Sequence, residues 1–386
     1  MTTAMGRGPS FNEINLGDAV TFQRGFDITK NEQTEGVVPI VSSSGVSSFH
    51  SRWKSRGPGV VIGRKGTLGT VHYLRADFWP HDTTLWVKDF KGNDPRLIYY
   101  FLKTLHLENF DTGASNPTLN RNHLHKIKVV FPASCIQKKI AAILSAYDDL
   151  IENNRRRIAL LEKMAEEIYR EWFVRMRFPG HEQTKFEKGV PEGWTASRFD
   201  NFCVLQRGYD LPDADIEDGE YPVIASTSIK AYDKHYKVGP PVITTGRSGS
   251  LGSVLYVNSH AWPLNTTLYV KDFCGNSPYL IYFTLKNMGL ENFNSGAGVP
   301  TLNRNHLNGI FILIPPKEIQ AAFDDQITKL FRQKENFEKQ IELLAQVRDT
   351  LLPRLISGKL AVENLDVRFP PSMTEAGNNV SEAALS

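Results

Sequence analysis

The sequence is short of cysteine, of long apolar runs and of excess charge. Its three cysteines are odd in number and lie far apart, so they form neither a disulfide framework nor a zinc site, and a reducing cytoplasm is expected. No apolar run approaches the roughly 18 residues of a membrane span, and the first ten residues lack the apolar core of a secretion signal. A formal net charge of +3 does not indicate a nucleic-acid binder. These shortages exclude membrane, secreted-scaffold and disordered classes but leave the function open.

The sequence does contain a long internal repeat at a constant offset of 183 residues. Residues 20–131 align without a gap on residues 203–314, with 48 identities in 112 positions. The octapeptide at residues 117–124 returns whole at residues 300–307. This period is too long for a solenoid, whose units span about 20–50 residues. The sequence therefore predicts a duplicated domain followed by a duplicated connector.

Each repeat ends in a proline turn that is followed by a long helical pattern. The first pattern, over residues 135–177, places apolar residues three and four positions apart, as in a coiled-coil seam. Asn154 falls on this seam, where a buried asparagine can fix the register. Pro353 is expected to kink or end the second helix, residues 317–360. We expect the two helices to pair antiparallel, with two separate bundles as the alternative. The residues assigned to the helix surfaces that pair and bind partners are Ile140, Ile143, Tyr147, Leu150, Asn154, Leu161, Phe323, Leu330, Phe337 and Leu344.

Within each repeat, short strands alternate with turns and one helix. Residues 60–62 and 242–244 are β-branched runs typical of buried strands. Asp94 and Ser277 each precede a proline, which puts a capping residue before a favoured first helical residue. The expected fold class is α+β, with two mostly-β recognition domains separated by two long antiparallel helices. The expected boundaries are 1–134 for the first domain, 178–316 for the second and 361–386 for a disordered tail.

Residue sets for catalysis or metal binding are missing from the repeats. The glycine-rich segment 63–69 lacks the Gly-Lys-Ser/Thr ending of a P-loop, so it is either a turn or a loop that touches phosphate. Asp111 opens an Asp-Thr-Gly sequence like that of aspartic proteases, a chemistry that needs two carboxylates, but its match is Asn294. The histidines have no metal-ligand spacing. We therefore predict no catalytic residue, no metal site and no bound cofactor in this chain.

The order of these elements resembles the specificity (DNA-recognition) subunit of type I restriction-modification enzymes. The resemblance rests on the glycine-rich segments, on the repeated octapeptide, and on the Ile-Gln-x-x-Ile-Ala-x-x-Leu helix start at residues 136–144. It also rests on the sequence Pro-Glu-Gly-Trp at residues 191–194, which opens the second domain. It covers the chain from about Leu16 to Leu360. The first domain departs from the pattern, because it opens with Gly-Pro-Ser-Phe at residues 8–11.

The resemblance implies two target-recognition domains that each read one half of a bipartite site in double-stranded DNA. It implies helices that set the spacing and dock two methylation subunits, with two motor-nuclease (restriction) subunits joining for restriction. The methyl donor S-adenosylmethionine would bind in the methylation subunits. This chain would then be a non-catalytic DNA-recognition subunit.

Comparison of the two repeats divides the expected DNA-binding residues into two classes. Residues identical in both repeats, such as Arg64, are assigned to the scaffold or to phosphate contact. Polar positions that differ, such as Lys65, are assigned to base reading, and segments 50–53 and 233–236 fall in this class. The expected DNA-binding residues are Gln23, Arg24, Arg64, Lys65, His81, Asp82, Thr83, Asn116, Arg121, Gln206, Arg207, Arg247, Ser248, Asn265, Thr266 and Arg304.

Three other functions stay open on the sequence alone. One is the recognition subunit of a combined (type IIB-like) restriction-methylation enzyme with a different cutting arrangement. Another is a duplicated enzyme with a site between its domains, which would need reactive residues in at least one repeat. The third is a coiled-coil adaptor without a role on DNA.

Overall fold

The computed structural model describes residues 10–111, 117–296 and 298–374. The chain divides into two compact units, of which unit 1 comprises Met1–Arg156 and Phe337–Ser386 and unit 2 comprises Arg157–Asn336. Each unit therefore contains one repeat domain and part of each long helix.

The helices of the two units follow the repeat. In chain order they are α1 (Leu16–Ala19), α2 (Pro95–Lys103), α3 (Arg121–His125), α4 (Ser134–Tyr169), α5 (Phe199–Phe202), α6 (Pro278–Asn287), α7 (Arg304–Asn308) and α8 (Lys317–Ile356). The predicted caps of α2 and α6 are confirmed: the Asp94 carboxylate accepts hydrogen bonds from two backbone N–H groups of α2, and the Ser277 hydroxyl accepts one from α6. Pro353 lies in the last turn of α8, which ends three residues later.

Within the part of the chain that the structure describes, the nine strands of unit 1 recur in unit 2, which has an additional pair of two-residue strands before its domain. In unit 1 they are β1 (Phe11–Asn15), β2 (Thr21–Arg24), β3 (Val38–Ser42), β4 (Gly45–His50), β5 (Gly59–Gly63), β6 (Val71–Leu74), β7 (Trp79–Pro80), β8 (Thr84–Asp89) and β9 (Lys128–Pro132). In unit 2 they are β10 (Phe186–Glu187), β11 (Val190–Pro191), β12 (Thr195–Arg198), β13 (Val204–Arg207), β14 (Tyr221–Ile224), β15 (Ile229–Asp233), β16 (Val242–Gly246), β17 (Val254–Val257), β18 (Trp262–Pro263), β19 (Thr267–Asp272) and β20 (Phe311–Ile314).

The sheet topology of the two domains is the same. Unit 1 has a four-stranded sheet in the order β2-β8-β5-β6 and a three-stranded sheet in the order β4-β3-β7. Unit 2 repeats these orders as β13-β19-β16-β17 and β15-β14-β18. In each domain the opening strand also pairs antiparallel with the closing strand, β1 with β9 and β12 with β20. The predicted α+β class with a mostly-β core is confirmed.

The core of the first domain reaches into the long helices. Phe22 from β2 and Leu97 from α2 are fully buried, and Ile140 from α4 packs in the same cluster. The end of α8 contributes Leu352 and Leu355 to this cluster. The domain therefore buries its apolar face against both helices, which is the main reason that the helices are stable at this end.

Contacts within each unit show that α4 and α8 pair antiparallel. In unit 1 the Arg348 guanidinium lies 2.5 Å from the Asp148 carboxylate, and the Asn154 amide donates to Gln340 over 3.1 Å. Because the position on α8 falls as the position on α4 rises, the helices run in opposite directions. The predicted burial of Asn154 on the seam is confirmed. Within the described ranges, no helix is both long enough and apolar enough to span a membrane.

The assignment of Leu150 to the helix seam is wrong. Its side chain is 50% exposed, whereas Ile151 is 4% exposed and takes the seam position. After Tyr147 the seam advances by four residues rather than three, a choice that the sequence leaves open because both candidates are apolar. The other assigned residues are buried or half-buried.

The predicted disorder of the C-terminal tail is wrong for residues 361–374. Val362 is 2% exposed and belongs to the core of the first domain. Arg96 from α2 donates to the hydroxyl of Ser372 over 3.0 Å and also to its backbone carbonyl. A polar segment is thus fixed by charged side chains of the domain, which composition alone does not reveal. Residues 375–386 lie outside the described residues.

Candidate nucleic-acid interface

The glycine-rich loop of unit 1 is held by two neighbouring loops at one end of the four-stranded sheet. The backbone N–H groups of Arg64 and Lys65 donate to the carbonyl of Thr83 over 2.8 and 3.0 Å. The carbonyl of Arg64 accepts from the N–H of Leu119, in the octapeptide, over 3.1 Å. These bonds fix the backbone of the loop, while the Lys65 side chain is exposed and that of Arg64 is half-buried. We call the glycine-rich loop, together with the backbone groups of Thr83 and Leu119 that hold it, the loop frame.

Unit 2 builds the same loop frame from the matching residues. The N–H groups of Arg247 and Ser248 donate to the carbonyl of Thr266 over 2.8 and 3.1 Å. The N–H of Leu302 donates to the carbonyl of Arg247 over 2.8 Å. Residues that are identical in sequence thus have the same backbone partners, which explains why the glycine loop and the octapeptide recur together.

The glycine of each Gln-Arg-Gly sequence allows a close approach between β2 or β13 and the next loop. A Cβ atom on Gly25 would lie 2.0 Å from the carbonyl oxygen of His81, and one on Gly208 would lie 2.2 Å from that of Leu264. No side chain fits at either position without moving the loop backbone. Glycine therefore places Arg24 and Arg207 directly beside the loop frame.

The charges in unit 1 are partly paired around Asp82. Arg24 lies 3.0 Å from one carboxylate oxygen of Asp82, and Nδ1 of His81 lies 3.0 Å from the other. Arg64 donates to the backbone carbonyl of Asp82 over 3.5 Å. Partial burial lowers the pKa of Arg64, and the nearby Arg24 lowers it further, while Asp82 opposes both. Arg24 is thus neutralised locally, whereas Arg64 keeps its charge, and among the described residues no carboxylate oxygen lies within 4.0 Å of its guanidinium.

The matching charges in unit 2 have a different arrangement. Arg207 lies 3.6 Å from Asp210, and the amide of Asn265 donates to the same carboxylate. Arg247 donates to the carbonyl of Asn265 over 3.3 Å. The exchange of His-Asp for Leu-Asn between the repeats therefore changes the polar groups beside an unchanged arginine.

Four of the predicted residues of unit 2 line one open cavity of about 700 Å³. They are Gln206, Arg207, Arg247 and Arg304, and Arg304 also donates to a backbone carbonyl of β13 over 3.1 Å. Asp210, the partner of Arg207, lines the same cavity. Three guanidinium groups and one carboxylate leave this concave surface positive, which favours an anionic ligand such as a phosphate backbone.

Of the remaining predicted residues that the structure describes, Gln23 lies on β2 and the others lie around the same loops. Lys65 is exposed on the glycine-rich loop, and Arg121 is exposed at the first position of α3. The hydroxyl of Thr83 accepts from the N–H of Ser43 over 3.3 Å, so it also supports the loop. Asn116 lies outside the described residues.

The assignment of two positions to base reading is wrong, because the side chains at these positions are buried. His50 is 4% exposed, and its Nδ1 accepts from the N–H of Thr34 over 3.0 Å. Its match, Asp233, is 1% exposed and accepts from two backbone N–H groups. These side chains hold their own loops, so their difference between the repeats reflects packing.

Comparison of the two repeats also missed one aspartate and one lysine at the candidate interface of each unit. Asp27 and Asp210 match at the offset of 183, as do Lys54 and Lys237, and this identity was the available signal. Asp27 lies with His81 and Asp82 so that their ligand atoms are all within 4.8 Å, a spacing that could hold a metal ion. The Arg24 guanidinium on Asp82 opposes a second cation there.

Comparison with known proteins gives a consistent result over both repeats. The model of the family described as the type I restriction modification DNA specificity domain matches residues 10–163 and 191–346. The chain is 28% identical over 300 residues, 69% of each chain, to the type I restriction enzyme MjaIX specificity subunit of Methanocaldococcus jannaschii. It is 21% identical to the MjaVIII specificity subunit of the same organism, over 92% of this chain and 93% of that one.

A solved structure has the same fold. The crystal structure of the S subunit of a type I restriction-modification system from M. genitalium superposes with a TM-score of 0.56 at 16% identity. The superposition covers 92% of this chain and 98% of that chain.

Proposed function

Because the chain belongs to the type I restriction-modification DNA specificity family, we propose that each of its repeat domains reads one half of a bipartite DNA site. The observation that carries this proposal is the duplicated loop frame, in which Arg64 and Arg247 have the same backbone partners. Two equal frames suit two contacts with the same sugar-phosphate backbone, while the differing side chains beside them suit two different base sequences.

We propose that the long helices set the spacing between the half-sites and dock the partner subunits. Helix α4 has 36 residues and is about 54 Å long, which suits a spacer that fixes the distance between half-sites. Each helix also has a matched pair of exposed apolar residues four positions apart. These are Leu160 and Met164 on α4, and Leu343 and Val347 on α8, at the offset of 183. A duplicated surface of this kind suits two copies of one partner, which we propose are two methylation subunits.

The remaining chemistry is assigned to the partners. The methylation subunits would bind S-adenosylmethionine and carry out the methyl transfer, and two motor-nuclease subunits would join them for restriction. We propose that this chain holds no cofactor and is not catalytic, in keeping with its membership of the DNA specificity family.

The proposed function is tested by coexpressing the full chain with its methylation subunit and sequencing the methylated bases of the host DNA. We expect a single bipartite motif with a fixed gap. Methylation without a motif, or no binding to DNA in a gel shift with the methylation subunit present, would contradict the proposal and favour an adaptor role.

The substitution Lys65→Ser is expected to change one half of this motif and leave the other half unchanged. Lys65 is exposed on the loop frame, and lysine can donate to guanine, so its loss should cost about 1–3 kcal/mol of discrimination. The matched control Arg64→Ala should instead weaken binding to all sequences with the motif unchanged. The measurement is the methylated motif of each variant, and an unaltered motif in Lys65→Ser removes Lys65 from base reading.

The double substitution L343S/V347S is expected to remove one of the two methylation subunits from the complex. The loss of two apolar contacts should weaken that subunit by about 2–4 kcal/mol. The measurement is the mass of the assembled complex in solution. The control Glu342→Ser changes an exposed neighbour and should keep both subunits. Retention of two subunits in the double variant would place the docking surface elsewhere.

A further inference from the structure

A lysine side chain lies over the same tryptophan in both repeats. The ammonium of Lys54 is 4.9 Å from the ring centroid of Trp79, and that of Lys237 is 4.7 Å from the ring of Trp262. A second aromatic ring lies within 6.0 Å of each ammonium. An ammonium at this distance is attracted to the face of the indole ring, so its position is restricted.

The backbone holds both lysines in the same way. The N–H of Lys54 donates to the carbonyl of Phe78 over 3.1 Å, and the N–H of Lys237 donates to the matching carbonyl of Ala261 over 3.0 Å. The next residue after each carbonyl is the tryptophan, and the loop at residues 81–83 follows shortly after. Each lysine is therefore attached to the strand that leads into the loop frame.

The identity of the two lysines stands out from a segment in which the repeats have diverged. Between residues 44 and 57, Lys54 is the one position that is identical at the offset of 183. The neighbouring positions differ in size and charge, as with His50 and Asp233. A lysine that is unchanged where its surroundings differ has a role that does not depend on which sequence each domain reads.

The two ammonium groups also differ from the guanidinium groups of Arg24 and Arg207 in their partners. Arg24 and Arg207 each lie within 3.6 Å of an aspartate, whereas in the part of the chain that the structure describes neither lysine ammonium is within 4.0 Å of a carboxylate oxygen. An aromatic face orients a cation but does not neutralise it. Both lysine charges therefore remain available to an anion.

From this geometry we infer that Lys54 and Lys237 are a duplicated pair of DNA-phosphate anchors, one for each half-site. The inference rests on the proposed function and extends it to residues that do not read bases. Because both domains must hold the same backbone whatever sequence they recognise, the same side chain suits both. The indole ring fixes the ammonium before DNA binds, which reduces the loss of side-chain freedom on binding.

The test measures the affinity of the full complex for its own site at several salt concentrations. Each of Lys54→Met and Lys237→Met should reduce the slope of log affinity against log salt by about 0.9, which is the contribution of one phosphate contact. The ratio of the affinities at 50 and 200 mM salt should therefore fall about 3.5-fold for each variant. The methylated motif should stay unchanged, and Lys54→Arg should restore the slope, because arginine keeps the charge and the ring contact.

Two other lysines provide a matched control. Lys88 and Lys271 are also exposed and identical between the repeats, but they lie toward the far ends of β8 and β19, away from the loop frame. Their methionine variants should keep the wild-type slope. A wild-type slope in Lys54→Met and Lys237→Met would overturn the inference and leave the lysines as covers of the indole, and a changed motif would overturn it in favour of base reading. A wild-type complex without sequence preference would overturn the proposed function as well.

Discussion

A fragment of residues 1–178 is expected to form dimers at micromolar concentration instead of folding as a monomer. The core of the first domain is completed by Leu352 and Leu355 of α8, which this fragment lacks. At the matching positions, 183 residues earlier, the end of the first connector has Tyr169 and Trp172, which are buried in the core of the second domain. A second copy of the fragment can therefore supply the missing side chains.

Dimer formation by the fragment has a functional consequence that can be measured separately. Two identical recognition domains about a two-fold axis should read a symmetric site, so the fragment with its methylation subunit should methylate a palindromic form of one half-site. Sedimentation gives the association state, and Trp172→Asp is the control that should prevent dimer formation. A well-folded monomer of the 1–178 fragment would contradict the shared role of the two helices.

The substitution Gln137→Leu is expected to lower the free energy of unfolding by about 3–5 kcal/mol. Gln137 is 3% exposed in the first turn of α4. Its amide oxygen accepts from the N–H of Asp94 over 3.0 Å, and its amide nitrogen donates to Asn93 over 2.7 Å and to the carbonyl of Pro132 over 3.0 Å. Leucine makes none of these bonds, so one buried and two half-buried polar groups would lose this partner.

The second repeat gives an internal comparison for this effect. Gln320 makes the matching bonds to the N–H of Ser277, the side chain of Asn276 and the carbonyl of Pro315 over 2.8, 3.1 and 2.9 Å. Gln320→Leu should therefore destabilise unit 2 by a similar amount. The control Lys138→Leu changes the exposed neighbour of Gln137 and should alter stability by less than about 0.5 kcal/mol. Denaturant unfolding followed by far-ultraviolet circular dichroism measures all three variants, and a loss below about 1 kcal/mol in Gln137→Leu would show that water replaces the bonds.

The repeat made much of the fold predictable from the sequence. A pattern that recurs in both repeats is stronger evidence for a structure than a pattern that occurs once. The caps at Asp94 and Ser277, and the helix that follows each proline turn, could therefore be predicted together. The α+β class followed from the same short strands. The phase of the helix seam could not be fixed at Leu150, because the adjacent Ile151 is equally apolar and only packing decides between them.

The candidate site was predictable where the repeats are identical and less so where they differ. Arg64 and Arg247 match at the repeat offset, and this match predicted that each has the same position in the loop frame of its own unit. His50 and Asp233 were misassigned because a buried polar residue that supports its own loop differs between repeats just as a base-reading residue would. Lys54 was missed because a single identity within a divergent segment carries little weight until the structure places it over Trp79.

The pairing of the first and last strands of each domain has a consequence for how such a chain can acquire a new specificity. Phe11 lies opposite Pro132 in the β1–β9 pair, and Thr195 lies opposite Ile314 in the β12–β20 pair. The chain therefore enters and leaves each domain at neighbouring points. A segment of the gene between these points can be exchanged by recombination without changing the length or course of the helices that follow. Under the proposed function, one such exchange would give the descendant protein a new half-site while the proposed docking surface on the helices is inherited unchanged.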